Sequence, residues 1–323
     1  MQYIVKKIIT LIITLLLITL LTFTAFAVIP SDAAQARLGT EATPQQVEAL
    51  REEMGLNDPV LQRYGNWLTG ALQGDFGQSY QYDGVQVSDM LAERLPTTAL
   101  LAGLSFLLIL VISLPLGILC ARFRGSFLDG LITQLTQITM AIPSFFLGIL
   151  LTYIFGLVLR LFQPGAFVAP TENLGQSLYY LLFPALAVAI PKIAMVVKFL
   201  RGAILGEIQL DYVRTARSKG NREGRVLYVH VLRNAFLPVL TFLALIIADI
   251  MAGSIVVEQV FSVPGIGRLL ITAISGRDYP VVQAVVTYIT VIVLGVNFLV
   301  DMLYPLIDPR IRSAYAGPSR RQL

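Results

Sequence analysis

Six apolar runs, roughly at residues 8–29, 97–120, 131–159, 179–200, 236–257 and 284–306, dominate the chain. Each reaches or exceeds the length of about 20 residues that lets a helix cross about 30 Å of hydrocarbon. Lipid offers no partners to backbone polar groups, so helices that satisfy their own N–H and C=O groups are the simplest solution. The expected fold is all-α and integral to the membrane, with six transmembrane helices. Composition agrees, since 56% of residues are hydrophobic, only 14% are charged and the mean hydropathy is +0.73. A soluble surface would need about 25% charge. At 323 residues a soluble chain would suggest about two domains. Here the spans consume most of the length, and one transmembrane domain over 1–323 is expected, with a helical external segment at 31–96 and a loop at 201–235.

The first run follows Lys6 and Lys7 and ends near Ala25, Phe26 and Ala27, a pattern that a cleavable signal peptide also shows. Its apolar core is longer than the 7–15 residues or so of a signal peptide, so it is read as the first transmembrane helix. Lys6 and Lys7, the Arg122 and Arg124 turn, the Arg201–Arg233 loop and the tail with Arg310, Arg312, Arg320 and Arg321 fall on one side. The positive-inside rule makes that side cytoplasmic, with both termini there. The Arg201–Arg233 loop holds seven basic residues against three acids, whereas Ser31–Pro96 holds four against ten. In that second segment Thr43 and Gln46 form a capping box around Pro44, Val47, Leu50 and Met54 share a stripe, and Gly55 suits a helix stop. Asp58 and Pro59 then open a second amphipathic helix with Leu61, Tyr64, Leu68 and Leu72 at helical spacing.

Between the fourth and fifth runs lies DYVRTARSKG, Asp211–Gly220, followed by VLRNAFLPVLT, Val231–Thr241. This segment resembles the loop by which permeases of ATP-binding-cassette importers engage their ATPases. That family carries Glu-Ala-Ala, three residues, then Gly. Here the spacing is kept as Arg214, Thr215, Ala216 and Gly220, the form of the dipeptide, oligopeptide and nickel branch. Further blocks extend the resemblance through most of the chain: GDFGQSY at Gly74–Tyr80, VVEQVFSVPGIGRLL at Val256–Leu270, RDYPVVQ at Arg277–Gln283 and LVDMLYPLIDPRIR at Leu299–Arg312. The resemblance implies a type I importer permease in a bacterial or archaeal cytoplasmic membrane, working by alternating access. Its implied partners are a second homologous permease, two ATP-binding subunits that carry ATP and Mg, and an external substrate-binding protein. No cofactor is expected in this chain.

Helical spacing places Ile208, Tyr212, Thr215, Ala216 and Lys219 on one face of the loop. Thr215 and Ala216 make the centre of that face small, so a second protein could approach closely. Arg214 and Arg217 flank it and suit carboxylate or carbonyl partners. Gly220 is expected to end the helix in a left-handed conformation. Glu207, Asp211, Tyr212, Arg214, Thr215, Ala216, Arg217, Lys219 and Gly220 form the ATPase-coupling set that the resemblance implies. Attraction to anionic lipid headgroups is the competing explanation of the basic loop.

Inside the spans Lys192 and Asp249 are the charges that call for a function, because buried membrane charge is costly. The family does not predict either. Glu258 lies near a span end and matches a family block, while Pro143, Pro184 and Pro191 are candidate kinks. FSVPGIG, with Pro264, Gly265 and Gly267, reads as a tight buried turn. With Asp278 it falls in the region that forms part of the family's external gate. His230 stands without Cys or His companions, Cys120 is the single cysteine, and no metal site or disulfide framework follows. The chain carries no HExxH or GxxxxGK[ST] sequence and is expected to leave ATP hydrolysis to other subunits. Cargo stays open among peptides, nickel and a metal chelate. A secondary transporter driven by an ion gradient is the alternative, but it calls for inverted repeats that the chain does not show.

Overall fold

The computed structural model describes residues 2–28, 33–38, 42–53 and 55–307. All its regular elements are helices: α1 (Gln2–Val28), α2 (Ala33–Leu38), α3 (Pro44–Glu53), α4 (Val60–Leu72), α5 (Val87–Arg122), α6 (Phe127–Ala141), α7 (Ser144–Leu151), α8 (Leu174–Glu207), α9 (Asp211–Ser218), α10 (Glu223–Arg225), α11 (Leu232–Val260), α12 (Ile266–Ser275) and α13 (Tyr279–Ile307). π-helical turns extend α7 over Thr152–Val158 and join α10 to α11 over Val226–Val231. Among the described residues, five helical segments are long and apolar enough to cross a membrane, and six when the bent pair α6–α7 counts as one span. That pair occupies the span expected over 131–159 and breaks at Pro143, one of the candidate kinks. It bends by 99°. The cause is local: Pro143 lacks an N–H and clashes with a helical predecessor, so Ile142 moves to φ −92, ψ 122. Pro184 and Pro191, by contrast, lie within an uninterrupted α8.

Two compact units emerge, one drawn from residues 1–98 and 263–294, the other from 99–262 and 295–323. In the first, the core is Val87 and Leu91 of α5, Ile266, Leu269 and Ala273 of α12, and Val281, Val282, Ala284 and Val285 of α13. The α12 positions recur every three or four residues, so one stripe of the helix supplies its buried face. α4 packs on α1 through Phe23 against Tyr64 and Trp67, with ring centroids 5.6 and 6.1 Å apart. Thr19 and Tyr64 share a hydrogen bond of 2.9 Å. Of the expected α4 stripe, Tyr64 and Leu68 are half-buried while Leu61 and Leu72 stay exposed. Trp67 takes their place because the α1 contact selects a narrower face. The capping box at Thr43 forms, with Thr43 N–H to Gln46 Oε1 at 2.9 Å and Gln46 N–H to Thr43 Oγ1 at 3.4 Å. Gly55 is left-handed at φ +63. Met54 lies outside the described residues, as do Ser31 and the Arg310–Arg321 tail.

In the second unit α8 is the innermost helix, with 72% of its apolar window buried against 33% for that of α11. It packs on α6, α7 and α11. Small residues allow the close approach: Ala185, Ala187 and Ala189 are fully buried, and a Cβ added to Gly117 would stand 2.8 Å from Leu200. Lipid supplies little hydrophobic drive between helices, so tight packing of small residues is the main source of association.

Candidate functional site

α8 runs on past the hydrocarbon-length segment to Glu207, and a short turn through Leu210, extended at φ −75, ψ 151, starts α9 in a new direction. Asp211 sits in the first turn of α9 and Arg217 in the last, both favourable to the helix dipole. Val213 and Ala216 turn inward, and α9 packs on the π-helical turn whose Val226, Leu227 and Val231 are also buried. Ala216 is therefore covered by its own chain, which corrects the expectation that Thr215 and Ala216 together present a small patch to a partner. Thr215 is exposed, together with Asp211, Arg214, Arg217, Ser218 and Lys219. The free surface of α9 is polar and charged.

Three side-chain contacts hold α9. Tyr212 donates its phenol hydrogen to Glu207 Oε2 at 2.6 Å, Asn221 Nδ2 donates to the Ala216 carbonyl at 2.9 Å, and Arg217 binds Glu223 through both carboxylate oxygens at 2.9 and 3.1 Å. Burial first, and the Glu207 hydrogen bond second, push the Tyr212 phenol above its ordinary range. Arg217 thus already has a partner in its own chain, whereas the Arg214–Asp211 contact is long, at 3.4 Å, and fully exposed to screening. Gly220 is left-handed at φ +77, and its N–H closes the helix end on the Arg217 carbonyl at 2.8 Å. No heavy atom lies within 4 Å of where its Cβ would be. Its left-handed backbone is what calls for glycine there.

Sequence reasoning missed the strut beneath this element. Asp129, which is buried near the start of α6, accepts from Arg201 Nε and Nη2 at 2.7 and 2.9 Å and from the Gly125 N–H at 3.0 Å. A paired arginine fork and carboxylate is the strong form of such a contact. The available signal was Ser126-x-x-Asp129, a cap pattern that forms here with Ser126 Oγ accepting from Asp129 N–H. His230 lies in the π-helical turn and is half-buried.

The expected gate residues divide between the two units. In the first, Asp278 is 1% exposed and accepts hydrogen bonds from Ser79 Oγ, from the Tyr80 N–H at 3.0 Å and from the Gln81 N–H at 3.3 Å. One carboxylate thereby joins the GDFGQSY block to the RDYPVVQ block. Arg277 before it is left-handed at φ +56, and Gly276 leaves room for the Gln81 side chain. Gly265 is extended at φ −106, ψ −179, and Gly267 lies inside α12, so the turn predicted around them is a helix start. Thr98 Oγ1 accepts the Ile266 N–H at 2.8 Å and serves as its cap. Pro264 is half-buried beside Gly265. In the second unit Glu258 is fully buried near the end of α11, and Ser262 takes the left-handed conformation at φ +55. Lys192 of α8 and Asp249 of α11 form an ion pair. No group of three or more His, Cys, Asp or Glu side chains suited to a metal ion occurs among the described residues.

Residues 113–313 match the family described as binding-protein-dependent transport system inner membrane component, and residues 1–102 match the corresponding N-terminal component. The chain is 38% identical to the oligopeptide transport system permease protein AppB of Bacillus subtilis (strain 168), over 96% of its own length and 98% of that protein. It is 34% identical to the probable peptide ABC transporter permease protein y4tP of Sinorhizobium fredii, over 96% and 99%. With a putative peptide transport system permease protein of Brucella abortus (strain 2308) it shares 36% identity, over 96% and 98%.

Proposed function

We propose, from the premise that this chain belongs to the family of binding-protein-dependent transport system inner membrane components and is a permease subunit of an ATP-binding-cassette importer, that its cargo is peptides. The relatives are described as oligopeptide and peptide permeases, which supports peptides over nickel, and the spans offer almost none of the soft or imidazole ligands that a dedicated nickel site would call for. The chain forms half of a pathway completed by a second permease. It works with two ATPase subunits that bind ATP and Mg and with an external binding protein that delivers the peptide. The whole of 1–323 acts as one transmembrane domain in a bacterial or archaeal cytoplasmic membrane. Both termini are cytoplasmic, the 31–96 segment is external and the 201–235 loop meets the ATPases.

The observation that carries the coupling role is the construction of α9: a short helix with a charged free face, tied at both ends and stopped by a left-handed Gly220. A rigid, polar knob standing after the end of α8 can pass a push from an ATPase to α8 without absorbing it. Glu207, Tyr212, Ala216 and Arg217 brace the knob, while Asp211, Arg214, Thr215 and Lys219 offer contacts. Lys192, Asp249, Glu258, Pro264, Gly265, Gly267 and Asp278 are assigned to the pathway or its external gate. The experiment is peptide uptake into cells that express the chain with its partner permease and binding protein, with and without active ATPase subunits. ATP-dependent uptake is expected, and uptake that persists without the ATPases would refute the proposal.

A further inference from the structure

Lys192 and Asp249 stand near the middles of two long apolar helices, and Lys192 Nζ donates to Asp249 Oδ2. The lysine side chain is 14% exposed and the aspartate side chain 46%. Membrane charges as a rule face a bundle interior or a water-filled cavity, because a carboxylate against hydrocarbon is among the costliest placements. The open side of Asp249 therefore faces water or protein. Leu245, Ala252 and Val256, exposed on the same side of α11, are apolar, so Asp249 is the one charged group on that stretch. Its second oxygen, Oδ1, takes no hydrogen bond among the described residues.

We propose that Asp249 is a cargo-binding residue of the translocation path, taking a passing ammonium group such as a peptide's amino terminus, with Lys192 as the counter-ion that holds it between passages. The inference rests on the reading of the chain as a peptide importer. An acid that binds a transient cation must be compensated when the cation is gone, since an unpaired buried charge is strongly destabilising. Lys192 meets that need from the enclosed side, and Oδ1 remains for the visitor. A permanent cation from another subunit would make Lys192 redundant.

The test is uptake into vesicles containing the full complex, with the binding protein saturated either with a peptide bearing a free amino terminus or with its N-acetylated form. Scored per assembled complex, Asp249→Asn should lower uptake of the free-amine peptide relative to the acetylated peptide by about 10- to 100-fold, the worth of a charge-assisted hydrogen bond. Equal slowing of both, or of neither, overturns the proposal. Because Asp249→Asn strands Lys192, a second variant, Lys192→Met with Asp249→Cys, is treated with a quaternary-ammonium thiosulfonate. Labelling in the assembled complex, slowed by transported peptide, is expected. Labelling that occurs only when the partner permease is missing would place Asp249 at the subunit interface and overturn the proposal. Absence of ATP-dependent uptake by the unmodified complex would instead refute the importer reading itself.

Discussion

Gly220 and Tyr212 show how far single residues decide the behaviour of α9 and the turn that ends it. Gly220 has open space around its missing side chain but a left-handed backbone, so Gly220→Val should cost about 1–3 kcal/mol in strain alone. The expected result is normal membrane insertion with loss of transport and of stimulated ATP hydrolysis in the assembled complex. Gly224→Ala is the matched control, because that residue also meets nothing within 4 Å and does not have a positive φ. Tyr212 carries a pH prediction. Its folded pKa is raised, so its contribution to stability is fully present below the ordinary tyrosine pKa and is lost as pH rises through the raised value. The difference in stability between the wild type and Tyr212→Phe should be constant through neutral pH and shrink only in strongly alkaline buffer. Unfolding followed against pH checks it, and shrinkage beginning near neutrality would contradict the assignment.

Among the elements, the Asp129–Arg201 strut ties the start of α6 to α8 just before α9. Arg201→Lys keeps the charge but loses the planar fork, and is not expected to rescue the contact. Asp129→Asn or Arg201→Met alone leaves a mostly buried partner unpaired, at about 3–5 kcal/mol. Replacing both with apolar residues of similar volume should cost less than either single change. The yield of assembled complex in a double-mutant cycle measures this, and additive losses would show that the two side chains act independently. The cap of α3 was readable in the chain because Thr43 and Gln46 are three residues apart and the backbone itself brings them together. The α6–α7 bend was less readable. Pro143 marked the place, yet a proline in a membrane helix is compatible with a mild kink or with a break, and Pro184 and Pro191 in α8 produced neither a break nor a new element.

For the whole molecule the bent pair decides the topology. Counted as one span it makes six crossings and puts both termini on one side; as a re-entrant loop it leaves five and puts them on opposite sides. A tag after Leu323 and a cysteine at Gln81 should, with six crossings, be labelled from opposite faces of intact cells. Labelling from the same face would establish the five-span arrangement. The two compact units each close their own core, and α5 and α13 contribute residues to both.

The chain by itself determined the membrane class, the helical fold, five of the spans and the left-handed Gly220. Each of those depends on run length, composition or residues within one helical turn. Tertiary structure decided what depends on residues distant in sequence. Asp129 meets Arg201 across 72 positions and Asp278 meets Ser79 across 199, and no local pattern encodes either partner. The same holds for α9, where helical spacing showed which residues share a face but not which face the chain would cover. Ala216 was buried because Val226, Leu227 and Val231 supply a larger apolar surface for α9 to pack against. Lys192 and Asp249 stood out singly as costly charges, and only the packing of α8 on α11 made them a pair with one enclosed and one open end.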